Sequence, residues 1–222
     1  LSHAAWLVLN KAEIQTSFVK EIELKGFSEP ERIYKVDHKF RTRVLAGQFI
    51  VFTDAAGFTK FVKSKGVEEV ESFLLAYNDL ITDICEQFGG VIRQVNGDQY
   101  FLSFGKAEQA ISALEMLYKN WQKMLERYGT PISIGVHKGN LNIIRSYVYS
   151  DDIHTTYYLS GFDEGEKTRM EQNWVFASGE FKNEFKDTDW EKRFEEIDGR
   201  TLTREAHKAI LRDHGAYRLR ME

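Results

Sequence analysis

The segment Phe49–Phe104 begins FIVFTDAAGFTKF and ends GGVIRQVNGDQYFLSF, and these two ends decide the fold. Asp54 follows the β-prone run Phe49-Ile50-Val51-Phe52-Thr53. It precedes Ala55-Ala56-Gly57, small residues that permit a close turn into a helix and a close approach by phosphate. Asp98 follows Asn96-Gly97, a strong two-residue hairpin signal set between the β-rich runs Val91–Val95 and Gln99–Phe104. The two acidic residues are 98 − 54 = 44 positions apart, each beside a tight turn. Taken singly, each reads as structural, one as a turn residue and the other as a helix cap. If the first strand lies beside the hairpin in one sheet, two hard oxygen ligands converge at one edge, as a magnesium or manganese pair on a nucleotide requires.

Downstream of Asp54, Phe58–Ser64 reads as a short helix closed by Gly66. Val70, Phe73, Leu74, Tyr77, Leu80, Ile81, Ile84 and Phe88 then recur at helical spacing up to Gly89-Gly90. After the hairpin, a second stripe runs from Ala107 to Leu125 and ends at Gly129, and Ile132–His137 reads as a strand. The element order predicts an α+β fold with a ferredoxin-like βααββαβ core and both long helices on one sheet face.

The flanks are less regular. Ile14, Phe18, Val19 and Ile22 have the spacing of an amphipathic helix ended by Gly26 and Pro30, and the basic stretch Lys35–Arg43 reads as a solvated connector. Tyr147-Val148-Tyr149 could be a strand and Asp151-Asp152 a turn. Tyr157–Glu171 suggests a strand end, Gly161, and a helix carrying Arg169. Trp174–Ala177 and Phe194–Ile197 read as strands, with a short helix near Glu180–Phe185 between them. Asp198-Gly199 reads as a hairpin turn leading to Arg200, and Thr203–Glu222 as polar and peripheral. The expected organisation is an N-terminal helical or connector segment (1–46), a core domain (47–203) and a C-terminal tail (204–222).

Composition narrows the function classes. At 222 residues with 42% hydrophobic side chains, one sizeable core with a leading segment is expected. The net charge of −4, from 30 basic and 34 acidic residues intermixed, argues against a non-specific nucleic-acid binder. No apolar run approaches the roughly 18 residues of a membrane helix. Ala4–Leu9 is also too short for a signal-peptide core, and the start at Leu1 suggests trimming. A lone cysteine, Cys85, on an apolar helix face fits core packing and a reducing, cytoplasmic compartment.

Phe52, Asp54, Phe58 and Thr59, followed by Gly89-Gly90 and Gly97-Asp98 with a strand after it, resemble the catalytic domain of the class III nucleotide cyclases. Ile134-Gly135-Val136-His137-Lys138-Gly139 resembles that family's G-I-H-x-G strand, and the likeness runs from about Gln48 to Leu202. The resemblance implies that the 3′-hydroxyl of a nucleoside triphosphate attacks its own α-phosphorus and pyrophosphate leaves in line. It also implies that Asp54 and Asp98 hold two divalent cations, Mn²⁺ or Mg²⁺, with Ile50 contributing a backbone position near Asp54 at most. The Ala55–Phe58 amides would hold the terminal phosphates. Arg169 aligns with a transition-state arginine, while its companion asparagine position falls on Gly165. Arg200 resembles, weakly, a late phosphate-binding lysine.

The base-reading positions depart from the purine cyclases. Gln94 stands four residues before Asp98, with Arg93 as the reader if the register slips by one, and Tyr158 stands at the second position. A larger side chain facing a smaller base suits a pyrimidine, a pattern similar to the uridylate and cytidylate cyclases of bacterial Pycsar antiphage systems. The implied activity is a UTP cyclase, with CTP second. The resemblance further implies an antiparallel homodimer with shared sites that feeds a separate cyclic-nucleotide effector, with no nucleic-acid or membrane partner expected. A purine cyclase and a silent nucleotide-binding cyclase homologue are the alternatives.

Overall fold

The computed structural model describes residues 2, 5, 7, 16–27, 29–36, 43–144, 147–162, 173–202 and 204–221. The chain forms two compact units, Leu1–Leu45 with Leu141–Tyr149, and Ala46–Asn140 with Ser150–Glu222.

In the smaller unit β1 (Thr16–Ile22) pairs antiparallel with β2 (Glu31–Val36). The helix expected around Ile14–Ile22 is therefore corrected: Thr16–Ile22 is a strand, and Ile14 lies outside the described residues. Three apolar residues at short spacing fit either period, and a partner strand decides for the sheet, where aromatic and β-branched side chains pack across the pair. Phe18 meets Tyr34 in this way, ring edge to face at 5.9 Å.

The larger unit contains most of β3 (Arg43–Ala55), then α1 (Phe58–Ser64), α2 (Val67–Phe88), β4 (Val91–Asn96), β5 (Gln99–Phe104), α3 (Ala107–Tyr128) and β6 (Ile132–Ile144). This is the expected βααββαβ order. Alternation along the strands sorts their side chains between two faces. Phe49, Val51 and Ala55 of β3 and Tyr100, Leu102 and Phe104 of β5 join the main core. There they meet Phe73, Tyr77 and Ile81 of α2 and Ala110, Leu114 and Trp121 of α3. Both long helices thus cover one face, as the spacing predicts. Cys85 lies in this core, and burial pushes its thiol up to about 11. Ile50, Phe52 and Asp54 of β3, with Gln99, Phe101 and Ser103 of β5, belong to the opposite face.

β7 (Tyr147–Tyr149) pairs with Asn142–Ile144 at the far end of β6. Asp151-Asp152, expected as a turn, opens α4 (Asp151–Ser160), where the Ser150 hydroxyl caps the helix by accepting from the Asp152 N–H. Tyr157 and Tyr158 therefore lie on a helix and not at a strand end. Glycine explains how closely α4 approaches β6. A β-carbon on Gly135 would collide with the backbone of Thr156 and Ser160, and one on Gly139 with the Asp152 carboxylate. The two glycines of the G-x-x-x-G stretch are thus contact points for one helix.

Beyond α4 come β8 (Trp174–Ser178), parallel to β6, then α5 (Gly179–Asn183), β9 (Phe194–Glu196), α6 (Glu205–His214) and β10 (Ala216–Leu219). The eight-stranded sheet runs β4-β5-β3-β6-β8-β10-β9, with β7 off this path on β6. The expectation of a peripheral C-terminal tail is corrected, because β10 pairs with β8 on one side and β9 on the other. Asp198-Gly199, expected as a hairpin turn, starts a 3₁₀ turn (Gly199–Thr201) instead. Leu159 of α4, Phe176 of β8, Ile210 of α6 and Ala216 of β10 share a second apolar cluster. Four-residue strands carry too few alternations to announce themselves in sequence.

Candidate active site

The hairpin loop is Gly97-Asp98, one position later than the Asn96-Gly97 expectation, since Asn96 pairs with Gln99. Gly97 takes the positive φ of 62° that the first position of such a loop demands. Asp98 is therefore the last loop residue, and Gln99 pairs across the sheet with Asp54 at the end of β3. This register joins two distant aspartates at one edge. The Asp98 carboxylate accepts the Ala55 N–H as well as its own. The Gln99 amide donates to Asp54 Oδ1 at 2.8 Å.

Charge reports the same proximity. Burial, with the neighbouring Asp54 charge added, raises the Asp98 carboxyl from 3.8 to about 6, although two backbone N–H bonds act against the shift. Tyr77, buried beneath the edge with its hydroxyl 2.5 Å from Thr53 Oγ1, is held well above the usual phenol range by burial, and both aspartates add to that rise. Among the described residues neither aspartate has an ion-pair partner. Two half-buried carboxylates in mutual repulsion form a donor set that fits a hard divalent cation.

Ile50 is not brought to this edge. It is fully buried four residues earlier in β3, about 13 Å back along an extended strand. Ala55 is the backbone neighbour of Asp54. Of the four amides at Ala55–Phe58, the Ala55 N–H goes to Asp98 and the Ala56 N–H to the Pro131 carbonyl at 2.8 Å. Gly57, at φ 79°, caps α1. The Phe58 ring stacks on Phe61 and Phe73 and serves the core.

Arg93 and Gln94 stand at a β-bulge. The pairing passes from Ile92 opposite Leu102 to Gln94 opposite Phe101, which leaves Arg93 as the extra residue. Arg93 Nε donates to Ser103 Oγ at 2.7 Å, and Ser103 shares the Phe101 face, so both candidate base readers lie on the same side of the sheet as Asp54. Gln94 is exposed.

Tyr158 turns elsewhere, packing against the second apolar cluster with its ring 6.2 Å from that of His207. Tyr157 instead meets Phe52, the β3 residue two before Asp54, edge-on at 5.3 Å. Sequence reading missed this pair; helical phase would have found it once Asp151–Ser160 was recognised as a helix. Arg200 is exposed, and its guanidinium is bound to Asp198 through contacts of 3.0 and 2.7 Å. Arg169 and Gly165 lie outside the described residues.

No protein-family model matches the sequence, and no curated protein matches it. Solved structures do. The adenylyl cyclase CyaB from P. aeruginosa superposes with a TM-score of 0.61 at 16% identity, over 82% of this chain and 97% of that one. The guanylyl cyclase Cya2 gives 0.60 at 17%, over 82% and 94%. The monomeric guanylyl cyclase domain of the RhoGC fusion protein from the aquatic fungus Blastocladiella emersonii gives 0.59 at 13%, over 80% and 96%. The chain has the class III cyclase fold.

Proposed function

We propose that the chain is a nucleotide cyclase, a phosphorus–oxygen lyase that converts UTP, and CTP less well, into the 3′,5′-cyclic monophosphate and pyrophosphate. The observation that carries this reading is the convergence of Asp54 and Asp98, where one carboxylate accepts the N–H of the residue after the other and is raised first by burial and then by its neighbour's charge. Neither backbone packing nor turn formation requires two facing carboxylates, whereas a cation site does.

In this reading Asp54 and Asp98 would hold Mg²⁺ or Mn²⁺, which when bound neutralise the triphosphate and lower the pKa of the 3′-hydroxyl. Gln99 fixes the rotamer of Asp54 through its amide, and the Ala55 N–H fixes that of Asp98, so the edge is organised before ligand arrives. The 3′-oxygen bonds to the α-phosphorus, the bond to the bridging oxygen breaks, and the hydroxyl proton passes to solvent. Gln94 offers both an amide donor and an acceptor to a base, and Arg93 a donor suited to a pyrimidine carbonyl. Arg169 is assigned to the charge building on the phosphoryl oxygens and Arg200 to the phosphates. As in the resemblance set out above, two chains would share each site, and the product would be a defence signal for a separate effector.

A silent nucleotide-binding domain is the second reading, favoured by Gly165 at the asparagine position. Incubating the purified chain with all four triphosphates and Mn²⁺, with product read by mass spectrometry, separates these readings. Cyclic UMP as the main product, lost in Asp54→Ala and Asp98→Ala, is expected. Product from ATP or GTP alone rejects the pyrimidine assignment, and nucleotide binding without any cyclic product favours the silent domain.

A further inference from the structure

On the sheet beside α4, away from the paired aspartates in sequence and in element, three side chains from separate elements converge. His137 comes from β6, Glu180 from the first turn of α5, and His214 from the last position of α6. One donor atom from each lies within 4.8 Å of the other two. His214 Nδ1 is 2.8 Å from Glu180 Oε1, and His137 Nδ1 is 3.6 Å from Glu180 Oε2. A tetrahedral zinc with ligands at about 2.0–2.2 Å separates its donors by about 3.4 Å, so rotamer adjustments alone would close the set.

We infer that His137, Glu180 and His214 form a transition-metal site selective for Zn²⁺, which ties the C-terminal helix α6 to the central strand β6.

Three further features support the assignment. Glu180 Oε2 is buried and makes no hydrogen bond of good geometry, with the Ser178 hydroxyl and the Glu180 N–H beside the carboxylate and its other oxygen bound to His214. A buried anionic oxygen so weakly bonded, 3.6 Å from His137 Nδ1, is costly unless a cation meets it. His137 has its far nitrogen, Nε2, 3.2 Å from Asp152 Oδ1, and the Asn140 N–H holds the other Asp152 oxygen at 2.6 Å. A carboxylate behind the imidazole is the arrangement that orients a metal-bound histidine and leaves Nδ1 with its lone pair toward the metal. The donors are two imidazole nitrogens and one carboxylate, a set that suits zinc and not magnesium or calcium. Ser178 Oγ, 2.8 Å from His137 Nδ1, or a water would take the fourth position.

The test uses the full chain stripped with a chelator. Titration with Zn²⁺ against a chromogenic competitor is expected to give one ion per chain. Co²⁺ in its place is expected to give the visible absorption of a tetrahedral centre, and Zn²⁺ to raise the melting temperature where Mg²⁺ does not. Glu180→Gln and His214→Gln, at half-exposed positions where folding should survive, should weaken zinc by about 100-fold, and Asp152→Asn by about 10-fold. Asp54→Ala should bind zinc like the parent chain, which separates this site from the aspartate pair. Absence of stoichiometric zinc, an octahedral cobalt spectrum, or zinc binding unchanged in both Glu180→Gln and His214→Gln would overturn the assignment.

Discussion

At the scale of single residues, Asp98 is the group whose environment least serves the fold. Its carboxyl is raised to about 6, above the 3.8 expected of an unfolded chain. Below about pH 4 the group is protonated in both states and costs nothing. Between about 4 and 6 the folded state retains the proton that the unfolded chain releases, so stability falls as pH rises through that window and stays lower above it. Asp98→Asn keeps an acceptor for the Ala55 N–H and removes the charge. In the absence of divalent metal it should therefore melt higher than the parent at pH 7.5 and level with it near pH 4, while cyclase turnover is lost. A lower melting temperature at neutral pH would mean that the carboxylate is structural. Cys85 follows the opposite logic: with its thiol near 11 inside the core, it should resist thiol reagents at pH 8 until denaturant opens the chain.

At the scale of elements, α4 is held by what β6 lacks. Gly135 lets the helix backbone approach the strand, so Gly135→Ala should destabilise the protein by about 1–3 kcal/mol in urea unfolding, because the colliding atoms belong to backbone and cannot rotate away. The β4 bulge is the other element-level device. It puts Arg93 and Gln94 on one face, where regular alternation would have separated them. Deleting Arg93 to restore a regular ladder should leave folding intact, since Arg93 is outside the apolar core, and should change the ratio of products formed from UTP and CTP. An unchanged ratio would remove both residues from base reading.

At the scale of the whole molecule, the C-terminal stretch is part of the sheet. Removing residues 204–222 takes β10 from between β8 and β9 and α6 from the second apolar cluster. The truncated chain should lose its cooperative unfolding transition by circular dichroism, where a peripheral tail would have been dispensable. The proposed dimer is tested by mixing Asp54→Ala with Arg169→Ala chains. If sites are shared, the mixture recovers activity that neither parent has; inactivity of the mixture would argue for sites built within one chain.

The sequence by itself determined the βααββαβ order and the positions of both aspartates, because long apolar stripes and turn residues act locally and leave a periodic trace. The hairpin before Gln99 could be read from the chain, since a tight turn admits few residue types, although the pairing of Asn96 with Gln99 moves its loop from Asn96-Gly97 to Gly97-Asp98. Tertiary structure alone decided the strand at Thr16–Ile22, the role of β10, the bulge at Arg93 and the meeting of His137, Glu180 and His214. Each of these depends on a partner supplied from far along the polypeptide, and neither strand pairing nor side-chain convergence leaves a period in the residues that take part.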